Sequence, residues 1–311
     1  MQAQVITYES TAHKLSWPEA VEALRAGHMK PKAEIGDAFL GPGDATLLSR
    51  SAYIEGLGYG VKSVTVFDRN PQHGLPTVQG AMLMFEPQHG RLAAVIDSRL
   101  ITEFKTAADS VLGARLLARP GSKTLLIVGA GTVAASLMRA YGAAFPGLER
   151  ILIWARRPEQ AESLALDCKS GNIEVSAVAD LPRAAATADI IATATMARDP
   201  VLKGAWVRPG THIDLIGAYK ADMREADDAL ISAGPLFVDA RQTTIGHIGE
   251  LTIPIANGVI TEDAVMGDFY DLIAGAGHGR SSDRDITLFK NGGGAHLDLM
   301  MAGYIAARAG V

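Results

Sequence analysis

The pattern of apolar positions along this 311-residue chain changes character near Pro120. Before it, strand-like stretches cover residues 46–54, 59–67 and 77–85, separated by turn dipeptides such as Asn70-Pro71 and His73-Gly74. Strands that follow one another so directly predict a largely antiparallel sheet. A helix opening at Ser16 is expected from Ser16-Trp17-Pro18-Glu19, whose Ser-x-x-Glu spacing lets hydroxyl and carboxylate satisfy free backbone donors. Residues 101–119 have helical spacing, are rich in Ala and Leu, and end at Pro120-Gly121.

After the break, short apolar strands at 123–128, 150–154, 173–178, 189–193 and 212–216 alternate with helices, two of which begin at Thr132 and Pro158. Such alternation predicts an α/β fold with a doubly wound parallel sheet covered on both faces. From Asp285 the chain runs through a Gly-rich stretch into a helix of small residues, a tail expected to return to the first part. The expected division is therefore 120–284 as the doubly wound domain, and 1–119 with 285–311 as an α+β domain.

Composition narrows the partners. With 48% hydrophobic and 20% charged residues and a net charge of −5, the chain is ordinary globular protein with no basic run. Neither nucleic acid nor an anionic membrane is an expected partner, and a small ligand fits better. The single cysteine, Cys168, cannot form an internal disulfide, and no apolar run reaches membrane-spanning length. A soluble, cytoplasmic protein is expected.

The strongest chemical signal is Leu125-Leu126-Ile127-Val128-Gly129-Ala130-Gly131-Thr132-Val133-Ala134, a Gly-x-Gly-x-x-Ala turn between strand and helix. Gly129 permits the tight turn, Gly131 lets backbone approach a pyrophosphate, and Ala134 allows close helix packing, with Thr132 and Val133 at the helix N-terminus. The next strand, Ile151-Leu152-Ile153-Trp154, lacks the terminal acid that holds an NAD ribose and runs instead into Arg156 and Arg157. Two guanidiniums suit a 2′-phosphate, so NADPH is the expected cofactor and NADH the second choice. No His-Glu-x-x-His, cysteine pair or acidic ligand cluster is present, and no metal is expected.

Taken with Gly60-Val61-Lys62-Ser63-Val64-Thr65-Val66-Phe67, Lys105-Thr106-Ala107-Ala108, Ala192-Thr193-Ala194-Thr195, Gly249-Glu250-Leu251, Gly279-Arg280 and Ile286-Thr287-Leu288-Phe289-Lys290, this turn resembles the ornithine cyclodeaminase and mu-crystallin family. The resemblance implies a mid-chain Rossmann domain and a substrate and dimerisation domain built from the N-terminal part and the last helix. It also implies a homodimer and a small amino or imino acid ligand lying against the nicotinamide. It places Thr193, Thr195 and Gly217 with the cofactor, and Lys62, Thr77 and Asp298 at the substrate site.

One departure stands out. The family carries Arg before Thr-Ala-Ala, where this chain has Lys105, and its usual upstream Arg near Ala38 is absent. A lysine grips a carboxylate as a point charge rather than a planar fork. Arg50, on the strand before Lys62, is the expected compensation, so that Arg50, Lys62 and Lys105 converge on the substrate carboxylate. His247, His296 and the Asn291-Gly292-Gly293-Gly294 run are weaker candidates.

The family contains lyases, ketimine reductases, amino-acid dehydrogenases and a binding crystallin, so its name does not name the reaction. Its lyases carry Gly-Gly-Asp after the strand at 212–216; here the segment reads Gly217-Ala218-Tyr219-Lys220-Ala221-Asp222. A phenol is a poor substitute for the base that cyclisation needs, unless Asp222 reaches in. The expected activity is NADPH-dependent reduction of pyrroline-2-carboxylate or piperideine-2-carboxylate to proline or pipecolate. Ornithine cyclodeamination, another amino-acid dehydrogenation, and ligand binding without turnover remain the alternatives.

Overall fold

A computed structural model describes residues 3–167, 172–276 and 279–311 and divides the chain into two compact units, Met1–Lys105 with Gly294–Val311, and Thr106–Gly293. Cys168 lies outside the described residues.

The first unit holds strands β1 (Gln4–Ile6), β2 (Glu34–Leu40), β3 (Ala45–Ile54), β4 (Gly58–Phe67), β5 (Val78–Phe85) and β6 (Leu92–Asp97), in the order β1-β6-β5-β4-β3-β2. From β2 to β6 neighbours pair antiparallel, as the contiguous strands predict, and β1 joins β6 in parallel. The helix Ala295–Ala309 packs on β3 and β4. Its close approach explains Gly60, where a Cβ would stand 2.9 Å from Leu299 Cδ1 and 2.4 Å from Met82 Cε. The helix Trp17–His28 lies against the same C-terminal helix. It begins where expected, but the capping box does not form: Ser16 makes no side-chain cap. Glu19 is drawn away instead, accepting from the Tyr304 hydroxyl at 2.9 Å, and the same hydroxyl accepts from Ser16 N.

The second unit is an eight-stranded sheet of β7 (Thr124–Val128), β8 (Arg150–Trp154), β9 (Glu174–Ala177), β10 (Ile190–Thr193), β11 (His212–Leu215), β12 (Leu236–Val238), β13 (Val265–Gly267) and β14 (Thr287–Lys290). Its order is β13-β12-β14-β11-β10-β7-β8-β9, and every pair is parallel. The direction of winding reverses between β7 and β10, which is the switch point where doubly wound folds take their ligands. Leu126, Val128, Ile191, Ile213, Leu215, Val238 and Leu288 form one continuous buried core.

The units differ at their edges from the sequence expectation. Strand β14 does not accompany the tail into the first unit; it is fully buried between β11 and β12. The helix Ser98–Leu117 likewise changes allegiance at Thr106. In its second half Gly113 sits so close to Phe289 that a Cβ would be 2.8 Å from the ring, and Ser110 accepts a hydrogen bond from Tyr141.

Candidate active site

In the second unit, β7 runs into the glycine turn. Gly129 has φ +132°, a left-handed conformation that only glycine holds cheaply, and a Cβ there would be 2.4 Å from Ala194 O at the end of β10. Gly131 caps the helix Thr132–Ala144 with extended backbone and no side-chain bond, and nothing lies within 4 Å of where its Cβ would be. The first helical N–H groups are thus left without a side-chain acceptor, beside open space, as an anion requires. That space is a pocket of about 460 Å³ lined by Gly131, Thr132, Ala135, Glu159, Ser163 and others. Val133 is half-buried and Ala134 is buried against the sheet. Arg156 and Arg157 are exposed between β8 and the helix Pro158–Asp167, with no ion-pair partner among the described residues. The turn, the open helix terminus and the pocket fit a dinucleotide pyrophosphate, and these residues would hold it.

Thr193, Thr195 and Gly217 come together at the ends of β10 and β11, and what joins them is Glu225. Its carboxylate accepts from the Thr193 and Thr195 hydroxyls at 2.7 Å, from Thr195 N at 2.7 Å and from Gly217 N at 2.6 Å. Both threonine hydroxyls are therefore committed internally. Glu225 is in turn held by Glu250, which accepts from Glu225 N at 2.8 Å and Ala226 N at 2.9 Å. Burial, then the Glu225 charge, raises the Glu250 carboxyl to about 7. Asp214 is raised to about 7 by burial first, against several opposing contacts and with the Glu225 charge adding to it, and burial pushes the Lys290 ammonium down while its Nζ donates to Leu215 O at 2.8 Å. Sequence reasoning assigned no role to these groups. Glu225 lies in Arg224-Glu225-Ala226-Asp227-Asp228, which reads as a solvated charge run, yet Glu225 is fully buried.

In the first unit, strand register builds a row. Asp37 on β2 stands opposite Arg50 on β3, and Arg50 stands opposite Lys62 on β4. Lys62 is buried and donates to Asp298 Oδ1 on the C-terminal helix at 2.8 Å. Arg50 does not stand as an uncommitted clamp: its Nε and Nη2 hold Asp37 at 2.9 and 2.8 Å. Lys105 is buried, with no ion-pair partner among the described residues. Burial is the main force pushing the Lys62 ammonium below its ordinary value; Asp298 opposes it, and Lys105 and Arg50 add to it. The three cations therefore share one neighbourhood. His296, buried two residues before Asp298, belongs there too, since after burial and His28 it is Lys105 and Arg50 that hold its imidazole far below the usual range. Asp298 Oδ2 is buried without a hydrogen-bond partner among the described residues. Thr77 stands apart: its carbonyl accepts from Phe67 N, five residues along β4 from Lys62, or about 16 Å at strand rise.

A model of the ornithine cyclodeaminase/mu-crystallin family matches residues 29–310. The chain belongs to that family. It is 63% identical over 303 residues, 97% of this chain and 96% of the relative, to a Delta(1)-pyrroline-2-carboxylate reductase of Paracoccus denitrificans. The Thermococcus litoralis Delta(1)-pyrroline-2-carboxylate reductase in complex with NADH and L-proline superposes with a TM-score of 0.92 at 29% identity, covering 98% of this chain and 97% of that one. An archaeal alanine dehydrogenase dimer with bound NAD gives a TM-score of 0.92 at 29% identity, covering 99% and 96%.

Proposed function

We propose that this chain is an oxidoreductase of carbon–nitrogen double bonds that reduces a cyclic ketimine carboxylate, pyrroline-2-carboxylate or piperideine-2-carboxylate, to L-proline or L-pipecolate with NADPH. The observation that carries this reading is the buried Lys62–Asp298 pair, beside Lys105 and Arg50, with Asp298 Oδ2 left without a hydrogen-bond partner among the described residues. A buried cationic cluster with one unsatisfied carboxylate oxygen matches a ligand bearing both a carboxylate and a protonated nitrogen, because each would otherwise be costly to bury. Lys62 and Lys105 hold the carboxylate and Asp298 Oδ2 accepts the iminium N–H; Arg50, tied to Asp37, supports them at longer range. The cofactor supplies the hydride to the C=N carbon, leaving the oxidised nicotinamide and a neutral ring amine, so no strong protein acid is needed in that step. The protein's contribution is orientation and charge.

NADPH is favoured by Arg156 and Arg157, exposed at the end of β8 and without an ion-pair partner among the described residues. A specific observation favours NADH as the second reading: Glu159 lines the pocket at the glycine turn, and a carboxylate there suits a free ribose hydroxyl. Cyclodeamination is disfavoured because Tyr219 is 47% exposed and Asp222 is an exposed partner of Arg198 Nε at 2.8 Å, which holds its carboxyl below the usual range. Such a carboxylate is a weak base. A homodimer is also proposed, since the edge strand β2 exposes Phe39 and Leu40 at 66% and 63%.

Steady-state NADPH oxidation with a panel of cyclic ketimines, open 2-oxo acids with ammonia, and no acceptor tests the reading. Turnover with the ketimines alone is expected. Binding of NADPH without turnover, or steady ammonia release from ornithine with catalytic NAD, overturns it.

A further inference from the structure

We infer that Glu225 is a positioning residue for the nicotinamide end of the cofactor, acting through the ends of β10 and β11 and not through the pyrophosphate turn. The inference rests on the dinucleotide reading of the second unit. In a doubly wound sheet the two halves of a dinucleotide lie on either side of the switch point. Here β7 and β8 carry the glycine turn and the arginines, the pyrophosphate and adenosine side. The other half falls to the carboxyl ends of β10 and β11, the segments Glu225 brackets.

The geometry separates the two halves at a single residue. Ala194, on which Gly129 is seated, is fixed by the sheet itself, its N–H donating to Val128 O at 2.8 Å. The next residue has left the ladder: Thr195 is held by Glu225 Oε1, through both its N–H and its hydroxyl. Past the end of β11, Gly217 N still reaches Thr193 O at 3.2 Å and also donates to Glu225 Oε2 at 2.6 Å, and Ala218 N donates to the same oxygen at 3.4 Å. The fit is tight, since a Cβ at Gly217 would be 2.1 Å from Thr195 O and 2.6 Å from Glu225 Oε1. One buried carboxylate thus gathers five donors from two strand ends, and the bonds around it leave no acceptor lone pair idle. Glu250 anchors it by its own backbone N–H. Among the described residues the arrangement meets the glycine turn through Ala194 and through Thr193, paired with Val128, and both are held there by the sheet ladder.

The test is a split in binding, measured without substrate. Glu225→Gln keeps the shape, but its amide nitrogen must face donors now bound to an oxygen. We expect the Kd for NADH, read by its fluorescence, to rise about tenfold, while the Kd for ADP-ribose, which lacks the nicotinamide, stays within about twofold. In turnover kcat should fall by about tenfold or more with the KM for pyrroline-2-carboxylate little changed, the pattern of lost orientation. Equal weakening of NADH and ADP-ribose would make Glu225 a general scaffold and overturn the inference, as would unchanged NADH affinity. Should Glu225→Gln not fold, Thr195→Val removes a single hydroxyl from the same carboxylate. It should show the same split at about threefold, and wild-type NADH affinity there also overturns it. A chain that binds NADH and ADP-ribose with this split yet reduces no ketimine contradicts the proposed reaction and leaves the positioning role standing.

Discussion

The polar clusters of the two units are built on opposite principles. Both oxygens of Glu225 and both of Glu250 are spent on neutral donors of their own unit, and the excess acid beside them is relieved by raised carboxyl pKa values at Glu250 and at Asp214, both about 7, Asp214 keeping one buried oxygen without a hydrogen-bond partner among the described residues. Around Lys62 the balance is the reverse. Three cations and His296 share two carboxylates, Asp37 and Asp298, and one carboxylate oxygen is unsatisfied. A self-satisfied cluster rigidifies the backbone around it, whereas one with surplus charge and an open acceptor is completed by a ligand. Under the proposed function, the comparison separates the buried charges that position from those that bind.

Breaking the binding cluster should have the largest effect. Lys62→Met removes one carboxylate contact and leaves Asp298 unpaired. We expect kcat/KM for pyrroline-2-carboxylate to fall by about a thousandfold, the scale of a broken buried pair, with the Kd for NADPH within about twofold. Fluorescence titration showing cofactor binding lost to the same degree would make Lys62 a scaffold residue, and the contrast between the clusters would fail.

The adenosine side comes next. Replacing Arg156 and Arg157 together by Ala should raise the KM for NADPH by about tenfold, the modest scale of exposed charge-assisted contacts, while that for NADH barely moves. Wild-type enzyme with equal Michaelis constants for the two cofactors would shift the assignment to Glu159 and NADH.

How much of this was legible in the sequence follows from the same contrast. The glycine turn is local: strand, Gly129, Gly131 and helix are contiguous, and backbone geometry alone selects their residues. Strands β3, β4, β5 and β7 to β11 lie within a residue or two of their expected places for similar reasons. Strand β2 was not visible, because an exposed edge strand bearing Gly36 and Asp37 shows no alternation and is fixed by pairing with β3. Strands β12 and β13 are three residues each, too short for a period to register. The pairing of Lys62 with Asp298 spans 236 positions, and that of Arg50 with Asp37 is set by a register no spacing reveals. Glu225 was hidden by its neighbours: charged residues on both sides disguise a residue that tertiary packing buries completely.

The buried acids around Glu225 carry a signature in stability. Asp214 has an ordinary carboxyl value of 3.8 when unfolded and about 7 when folded, because burial disfavours its charge. A carboxyl whose folded pKa is the higher binds its proton preferentially in the folded state. Its contribution therefore favours folding fully below about pH 4 and is lost as pH rises through about 7. Glu250 acts in the same direction over the same window. Melting curves from pH 5 to 8 should show a falling Tm, and Asp214→Asn should flatten part of that slope, by a few kcal/mol at most. Identical slopes in variant and wild type would mean that Asp214 is ionised throughout, its charge compensated by Lys290.

The smallest expected effect decides between reductase and lyase. If a carboxylate on the loop after β11 managed protons, Asp222 would be that group, since Tyr219 occupies the earlier position. Its surroundings argue otherwise: it is exposed, its Oδ2 accepts from Arg198 Nε at 2.8 Å, and that bond holds its carboxyl below the usual range, the wrong direction for a base near neutral pH. An exposed ion pair of this kind contributes little to folding. Asp222→Ala should therefore leave ketimine reduction within about twofold of wild type at every pH from 6 to 9, with no change in the shape of the profile. A hundredfold loss confined to the acidic or basic limb would identify Asp222 as a proton-transfer group. Asp222 would then be the base that cyclisation needs, and ornithine would become the first substrate to test.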